Sequence, residues 1–288
     1  MKGVILGIAG EARLVDLSHE VAAHDVTEGA LALEAAVPFF PAGTVHLAVV
    51  DPGVGTARRG LAIVTEDARF VGPDNGLFTP FLEDREWRAF ELTAVEYRLR
   101  TVSRTFHGRD VFAPAAAHLA LGLAPERLGP RVEDPVRLHW ASVRETRGAV
   151  AGTVLHVDRF GNLVTSIRAE AFEAFGALSV RLAGRPLPFV GTYGELTPGQ
   201  AGALVRQRPA GDRGARGQRR RAAARATRHA GGRQSLFAGA EGAAAPVAPV
   251  DVVVDAGLSA AGLSTLSAEP PLDGAFSDSF AFLRASEG

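Results

Sequence analysis

The chain has 288 residues, 47% of them hydrophobic, and a formal net charge of −1, which suits one large globular domain or two modest ones. That charge balance gives no global pull toward nucleic acid or an anionic membrane, and no apolar run approaches the roughly 20 residues that span a bilayer. Cysteine is absent, which excludes disulfides, thiolate metal sites and cysteine nucleophiles. The opening MKGVILGIAGEARLVDLSH has one lysine and a short apolar stretch with charges close behind. It lacks the pattern of a signal peptide, and a cytoplasmic protein is expected. Lys2 is the only lysine, and the excess of Arg, Ala, Gly and Pro reflects GC-rich codons more than function.

In chain order, GVILGI is a short apolar run that predicts a buried strand, and RLVDLS predicts a second. Asp25 is placed to cap a helix over VTEGALALEAAVPFF, which Pro38 and Pro41 end. TVHLAVV predicts a strand that stops at Asp51, where DPGVG supplies a turn. LAIVTE and RFVGPDNG predict a strand, a turn and another strand. Asp110 to Leu123 predicts a helix with Pro114 in its first turn. Strands alternating with helices imply a three-layer α/β domain over 1–148. From 149 to 205 the pattern turns β-rich, through AVAGTVLHVDRFGNLVTSI and LSVRLAGRPLPFVGTYGEL, and predicts a smaller β domain. Residues 206–234 then contain ten arginines, the single acid Asp212 and no large apolar residue. From Ser235 onward the balance reverses, with seven acids against Arg284. Neither stretch has clear periodicity, although VDVVVDAG could form a strand.

Three clusters could carry chemistry. Asp51 closes a predicted strand, and open α/β sheets bind ligands at the carboxyl ends of their strands. Gly53 and Gly55 would let the backbone approach a ligand closely. His107, in TFHGRDVF, leads into a helix. Asp158, Phe160 and Asn162 sit in VDRFGNLVTS. Taken singly, each has a plain structural reading as a turn or a solvated loop residue.

Together they are more specific. Through MKGVI, VDLSHEV, FFPAGTVHLAVVDPGVGT, GPDNGL, TFHGRDVFAPAAAHLALG and VDRFGNLVTSI, residues 1–205 resemble the adenosine-forming S-adenosyl-L-methionine hydrolases, sister to the fluorinases and chlorinases. The resemblance implies an N-terminal α/β domain and a C-terminal β-barrel-like domain. It also implies a homotrimer whose adenosine lies between the N-domain of one subunit and the C-domain of its neighbour. Carried over residue by residue, it makes Asp51, Arg58 and His107 catalytic, with Arg59 the less favoured arginine. Asp158 and Asn162 would contact the nucleoside or amino-acid part of the substrate, Phe106 and Phe160 would be apolar pocket walls, and Gly108 would belong to the binding site.

The implied chemistry suits these side chains. Water attacks the ribose C5′ and methionine leaves as a neutral thioether, so no general acid is required. An Asp can orient that water and accept its proton, an Arg can hold the carboxylate, and a His can share or relay the proton near neutral pH. Whether Asp51 or His107 takes the proton stays open at this level. Halogenases of the sister group carry Tyr at the positions of Asp51 and His107, and fluorinases carry Ser at Gly108, so hydrolysis is favoured. S-adenosylmethionine is substrate, and neither a cofactor nor a metal is expected. No membrane is expected either.

Two departures from the resemblance carry expectations of their own. The family opens with an earlier strand ending in an Asp-Phe-Gly type motif, whose Asp binds the ribose hydroxyls. Its absence suggests a mis-called start codon and leaves a neighbouring strand edge unpaired. After GALV the family continues with a Gly-Ser-x-Gly-x-Leu-Glu-Ile-Ala-Val strand that touches the adenine. One base forward, with permissible codons, Arg206 to Arg225 can encode GSDRLEIAVRGGSAAARLR, so a frameshift near Val205 is inferred and 206–288 is expected to be poorly ordered. Two rivals remain. The chain could be an inactive or adenosine-binding remnant of the family, or it could bind nucleic acid through residues 206–234. The second is weaker, because no aromatic is interleaved for base stacking.

Overall fold

The computed structural model describes residues 1–83, 86–139, 143–146, 149–158, 160–168, 179–197, 200–204, 233–237, 251–255 and 279–284. The chain divides into two compact units, the first comprising Met1–Leu138 with Asp273–Gly288, the second His139–Leu272.

The first unit begins with a helix, α1 (Lys2–Ile8), where the sequence predicted a strand. Its apolar residues explain the difference. Ile5 and Ala9 are buried and Met1, Val4 and Ile8 pack partly against the same core, while Leu6 is 45% exposed. Burial therefore recurs every three or four residues, the helical period, and so short a run does not distinguish the two structures by composition. β1 (Arg13–Val15) follows, then α2 (Val26–Ala36). Asp25 caps α2 as expected, its carboxylate accepting the Glu28 N–H at 2.7 Å. The helix tightens into a 3₁₀ turn over Val37–Phe39. β2 (Thr44–Val49), β3 (Gly60–Thr65), β4 (Ala68–Pro73), the short α3 (Thr79–Leu82) and β5 (Trp87–Glu91) come next. α4 (Ala113–Ala120) and β6 (Arg131–Val132) complete the run.

Period-two alternation along the strands divides this unit into layers. Val45 and Leu47 of β2, Ala62 of β3 and Val71 of β4 share one core with Ile5 of α1 and Ala116 and Leu119 of α4. The intervening residues face the other way: His46 stacks on Phe70 at 5.3 Å, and Phe70 stacks on Phe81 of α3 at 4.2 Å. α2 packs beside α3. Helices thus cover both faces of the sheet, in three layers.

The second unit contains β7 (Arg144–Thr146), β8 (Ala149–Val157), β9 (Asn162–Arg168), β10 (Ser179–Leu182), β11 (Arg185–Leu187), β12 (Gly202–Ala203), β13 (Arg233–Phe237) and β14 (Asp251–Asp255). They run in the order β11-β10-β14-β8-β9-β13-β12, with β7 beside β8. The two ends of that order meet, because Phe189, just past β11, bridges Ala203 of β12 in parallel. Ala203 N–H donates to Pro188 O and Val190 N–H to Ala203 O, each at 2.8 Å. Closure of this kind removes the free edges and makes the sheet barrel-like, around Val150, Ile167, Val180 and Ala203.

A last strand, β15 (Ser279–Arg284), returns to the first unit, whose sheet order is β1-β15-β2-β4-β3-β5-β6. There β2 carries β15 on one edge, antiparallel, from Ser279 opposite Val49 to Leu283 opposite Val45. A strand edge with free N–H and C=O groups accepts any extended segment that reaches it. Within 206–288, the stretch expected to be poorly ordered, the described residues include β13, β14 and β15. The rest of that stretch, including all of residues 206–232, lies outside the described residues. Among the described residues, no helix is long and apolar enough to cross a membrane.

Candidate functional site

Asp51 stands just past the C-terminal end of β2. The chain turns at once: Val54 N–H donates to Asp51 O at 3.2 Å, and Thr56 donates to Gly53 O through both its N–H and its hydroxyl. Gly55 adopts φ +78°, and a Cβ there would lie 2.7 Å from Arg104 O. Only glycine lets this turn approach the loop ahead of His107 so closely. The turn delivers Arg58 to the start of β3.

His107 opens the helical segment, but not as a plain α-helix. Residues Gly108–Phe112 form a π-helical turn, closed by Ala113 N–H on Gly108 O, and α4 follows with Pro114 in its first turn. Pro114 has no N–H to give to the carbonyl four residues back. That carbonyl, Asp110 O, instead accepts the Leu99 N–H at 2.9 Å. The Asp110 side chain is fully buried. It accepts from Ser103 N–H at 2.8 Å and from Arg109 Nε at 2.6 Å, so one residue ties the loop 99–106 to the helix start. Asp110 was absent from the sequence-based site, although an acid at the head of a predicted helix after His-Gly-Arg was a usable signal.

Asp51, Arg58 and His107 converge. Arg58 Nη2 lies 2.6 Å from Asp51 Oδ2 and 3.0 Å from His107 Nδ1, and Nη1 donates to Arg59 O at 3.0 Å. The guanidinium rests over the Phe112 ring at 5.1 Å. The Arg58 and Asp51 side chains are only 8% and 6% exposed. The second oxygen, Asp51 Oδ1, is buried with no hydrogen-bond partner among the described residues. Burial pushes the Asp51 carboxyl above the ordinary carboxylate range, with Arg58 opposing it. Burial, and then the charge of Arg58, holds His107 below the usual imidazole value. Arg58 also stands between the two groups that could ligate a cation, and its charge opposes one.

Arg59 points elsewhere, donating to Asp74 Oδ2 at 2.8 Å and to Asp134 Oδ1 at 2.9 Å. Phe106 is 58% exposed with Arg109 over its ring at 5.0 Å. A Cβ on Gly108 would come within 3.1 Å of Met1 Sδ. These residues flank the Asp51, Arg58 and His107 group in the first unit. Asp158, Phe160 and Asn162 form their own cluster in the second, at the turn between β8 and β9. Asp158 Oδ1 accepts from Phe160 N–H at 2.8 Å and from Asn162 N–H at 2.9 Å, and Oδ2 accepts from Asn162 Nδ2 at 2.7 Å. Gly161, at φ +81°, lets this turn close.

Comparison with known proteins matches both parts of the chain. Residues 1–129 match the SAM hydroxide adenosyltransferase N-terminal domain and residues 152–207 the corresponding C-terminal domain. The chain is similar to (R)-S-adenosyl-L-methionine hydrolase of Thermus thermophilus, 46% identical over 69% of this chain and 78% of that one. A fluorinase of an Actinoplanes species is more distant, 28% identical over 61% of this chain and 68% of that one. In structure, the chain resembles an uncharacterised conserved protein of Thermotoga maritima with a TM-score of 0.69 and 30% identity, covering 88% of this chain and 93% of that one.

Proposed function

Because the chain belongs to the SAM hydroxide adenosyltransferase family, we propose that it hydrolyses S-adenosyl-L-methionine to adenosine and L-methionine through Asp51, Arg58 and His107. The observation that carries this is the divided Asp51 carboxylate. Oδ2 is anchored by Arg58, and Oδ1 is buried with no close hydrogen bond among the described residues, the Gly53 N–H acting on the carboxylate from the turn. A buried acceptor needs a partner, and a water held there is the nucleophile. Its oxygen bonds to C5′ as the C5′–S bond breaks. The bonding pair leaves on sulfur as the methionine thioether, and the proton of the water passes to Asp51. Positioning of that kind contributes several kcal/mol.

The geometry favours Asp51 over His107 as proton acceptor. A guanidinium only donates, so His107 Nδ1 turns its lone pair to Arg58 and the ring proton sits on Nε2. Burial and the charge of Arg58 lower the affinity of the imidazole for a second proton, and the Nε2–H is left as a donor. A carboxylate beside the nucleophile repels halide, which supports hydrolysis over halogenation. Phe106, Gly108, Asp158, Phe160 and Asn162 are assigned to substrate binding on the family pattern, and the reaction as written requires neither metal nor cofactor.

The test is incubation of the purified protein with S-adenosylmethionine and quantification of adenosine and methionine. Equal amounts of both are expected, with turnover about 10²- to 10⁴-fold lower in Asp51→Asn. Undiminished turnover in Asp51→Asn would sink the assignment. Saturable adenosine binding with no turnover would mark an inactive remnant.

The proposal extends to a cytoplasmic homotrimer and to a frameshift near Val205. Support for the frameshift comes from the family match, which ends at residue 207, beside the onset of the arginine run. An independent read of the gene that returns the present frame rejects it.

A further inference from the structure

β4 lies between β2 and β3 in the sheet, parallel to one and antiparallel to the other. β2 leads into Asp51, and β3 begins just after Arg58. The turn leaving β4, Asp74-Asn75-Gly76, is therefore adjacent to both. It reaches each of them. Asn75 Nδ2 donates to Val50 O at 2.7 Å, fixing the peptide immediately before Asp51, while its Oδ1 accepts the Leu77 N–H at 3.2 Å. On the other side, Asp74 N–H donates to Arg59 O at 2.9 Å, the same carbonyl that receives Arg58 Nη1. The Asp74 carboxylate binds Arg59 Nε through Oδ2 and Val136 N–H through Oδ1, at 2.8 and 2.7 Å. Asp74 is 6% exposed and Val50 fully buried, so solvent cannot replace these contacts. Gly76 completes the turn at φ +95°, where a Cβ would meet Leu138 at 2.9 Å.

We propose that Asp74 and Asn75 are positioning residues that set the relative placement of Asp51 and Arg58. Asn75 holds the peptide that carries Asp51. Asp74 holds the Arg59 peptide, whose carbonyl fixes one arm of the Arg58 guanidinium and so aims the other arm at Asp51 and His107. Arg59, the unused neighbour of the catalytic arginine, acts through its backbone. The kinetic consequence rests on the hydrolase reading above, but the geometric one does not.

The test uses the full chain with Asn75→Ala and Asp74→Asn, and three readouts: Tm, kcat and KM for S-adenosylmethionine, and the His107 pKa. The last comes from an imidazole NMR titration assigned with His107→Gln. The charged groups that act on His107 are Arg58, Asp51, Arg98 and Asp110, and neither variant removes any of the four. With Arg58 no longer aimed at the ring, the His107 pKa is expected to rise by about half a unit or more. Turnover should fall about tenfold with KM changed less than about twofold, since mispositioning acts on the reacting geometry. A His107 pKa and a kcat both unmoved in a folded Asn75→Ala chain overturn the proposal. So does a loss of activity that appears wholly as raised KM and lowered Tm. Should buried Asp74→Asn fail to fold, half-buried Asn75→Ala decides. A wild-type chain that makes no adenosine, with the pKa shift still present, defeats the hydrolase reading and leaves the clamp standing.

Discussion

Burial and charge pull in opposite directions at Asp51: burial raises the affinity of its carboxylate for a proton, while Arg58 lowers it and fixes the group in place. At His46 burial is the cause of the shift. The ring stacks on Phe70 and meets Phe40 edge-on at 5.5 Å, and burial pushes its pKa down to about 4. The unfolded chain, near 6.5, binds a proton that the folded chain refuses. The stability that neutral His46 contributes is therefore complete above pH 6.5 and is lost as pH falls toward 4. The slope is at most about 1.4 kcal/mol per pH unit. Urea midpoints of wild type and His46→Leu, taken from pH 7 to pH 4.5, should diverge in slope. Parallel curves would show that His46 is not the group responsible.

At the scale of elements, the helix ends were the most readable. Asp25 was identified as a cap because a short carboxylate before an apolar helical stretch can satisfy an otherwise free N–H, and it does so at Glu28. Asp25→Ala should cost about 1 kcal/mol, measured by urea denaturation. A change under about 0.3 kcal/mol would show that solvent replaces the cap. The start of α4 was legible only in part. Pro114 was read as a first-turn proline, whereas the preceding π-helical turn depends on Asp110 O finding Leu99, a contact invisible to local pattern. α1 was misread because seven residues of mostly apolar sequence satisfy both a buried strand and a helix, and only the core that receives Ile5 and Ala9 distinguishes them.

For the whole molecule, the departure of the tail from the family pattern bears on assembly. Replacing residues 206–225 by the reframed string would restore the family's strand. Light scattering of the repaired chain should then give the mass of three copies, with turnover above that of the chain as it stands. A repaired chain that remains monomeric yet fully active would reject the trimer. β15 belongs to the same scale, because Ser279–Arg284 pairs antiparallel with β2, a strand distant in the chain.

Local chemistry in the chain already indicated that α2 starts at Asp25 and that an α/β part precedes a β part, while the grouping of Asp51, Arg58 and His107 came from the resemblance to the family and not from local pattern. Caps, turns and alternating strands act over a few residues and leave their mark there. The tertiary structure alone showed how Arg58 meets Asp51 and His107, which carboxylate oxygen it leaves, and which residues hold the site. Those outcomes depend on β4 lying between β2 and β3, and strand order arises from packing across the sheet.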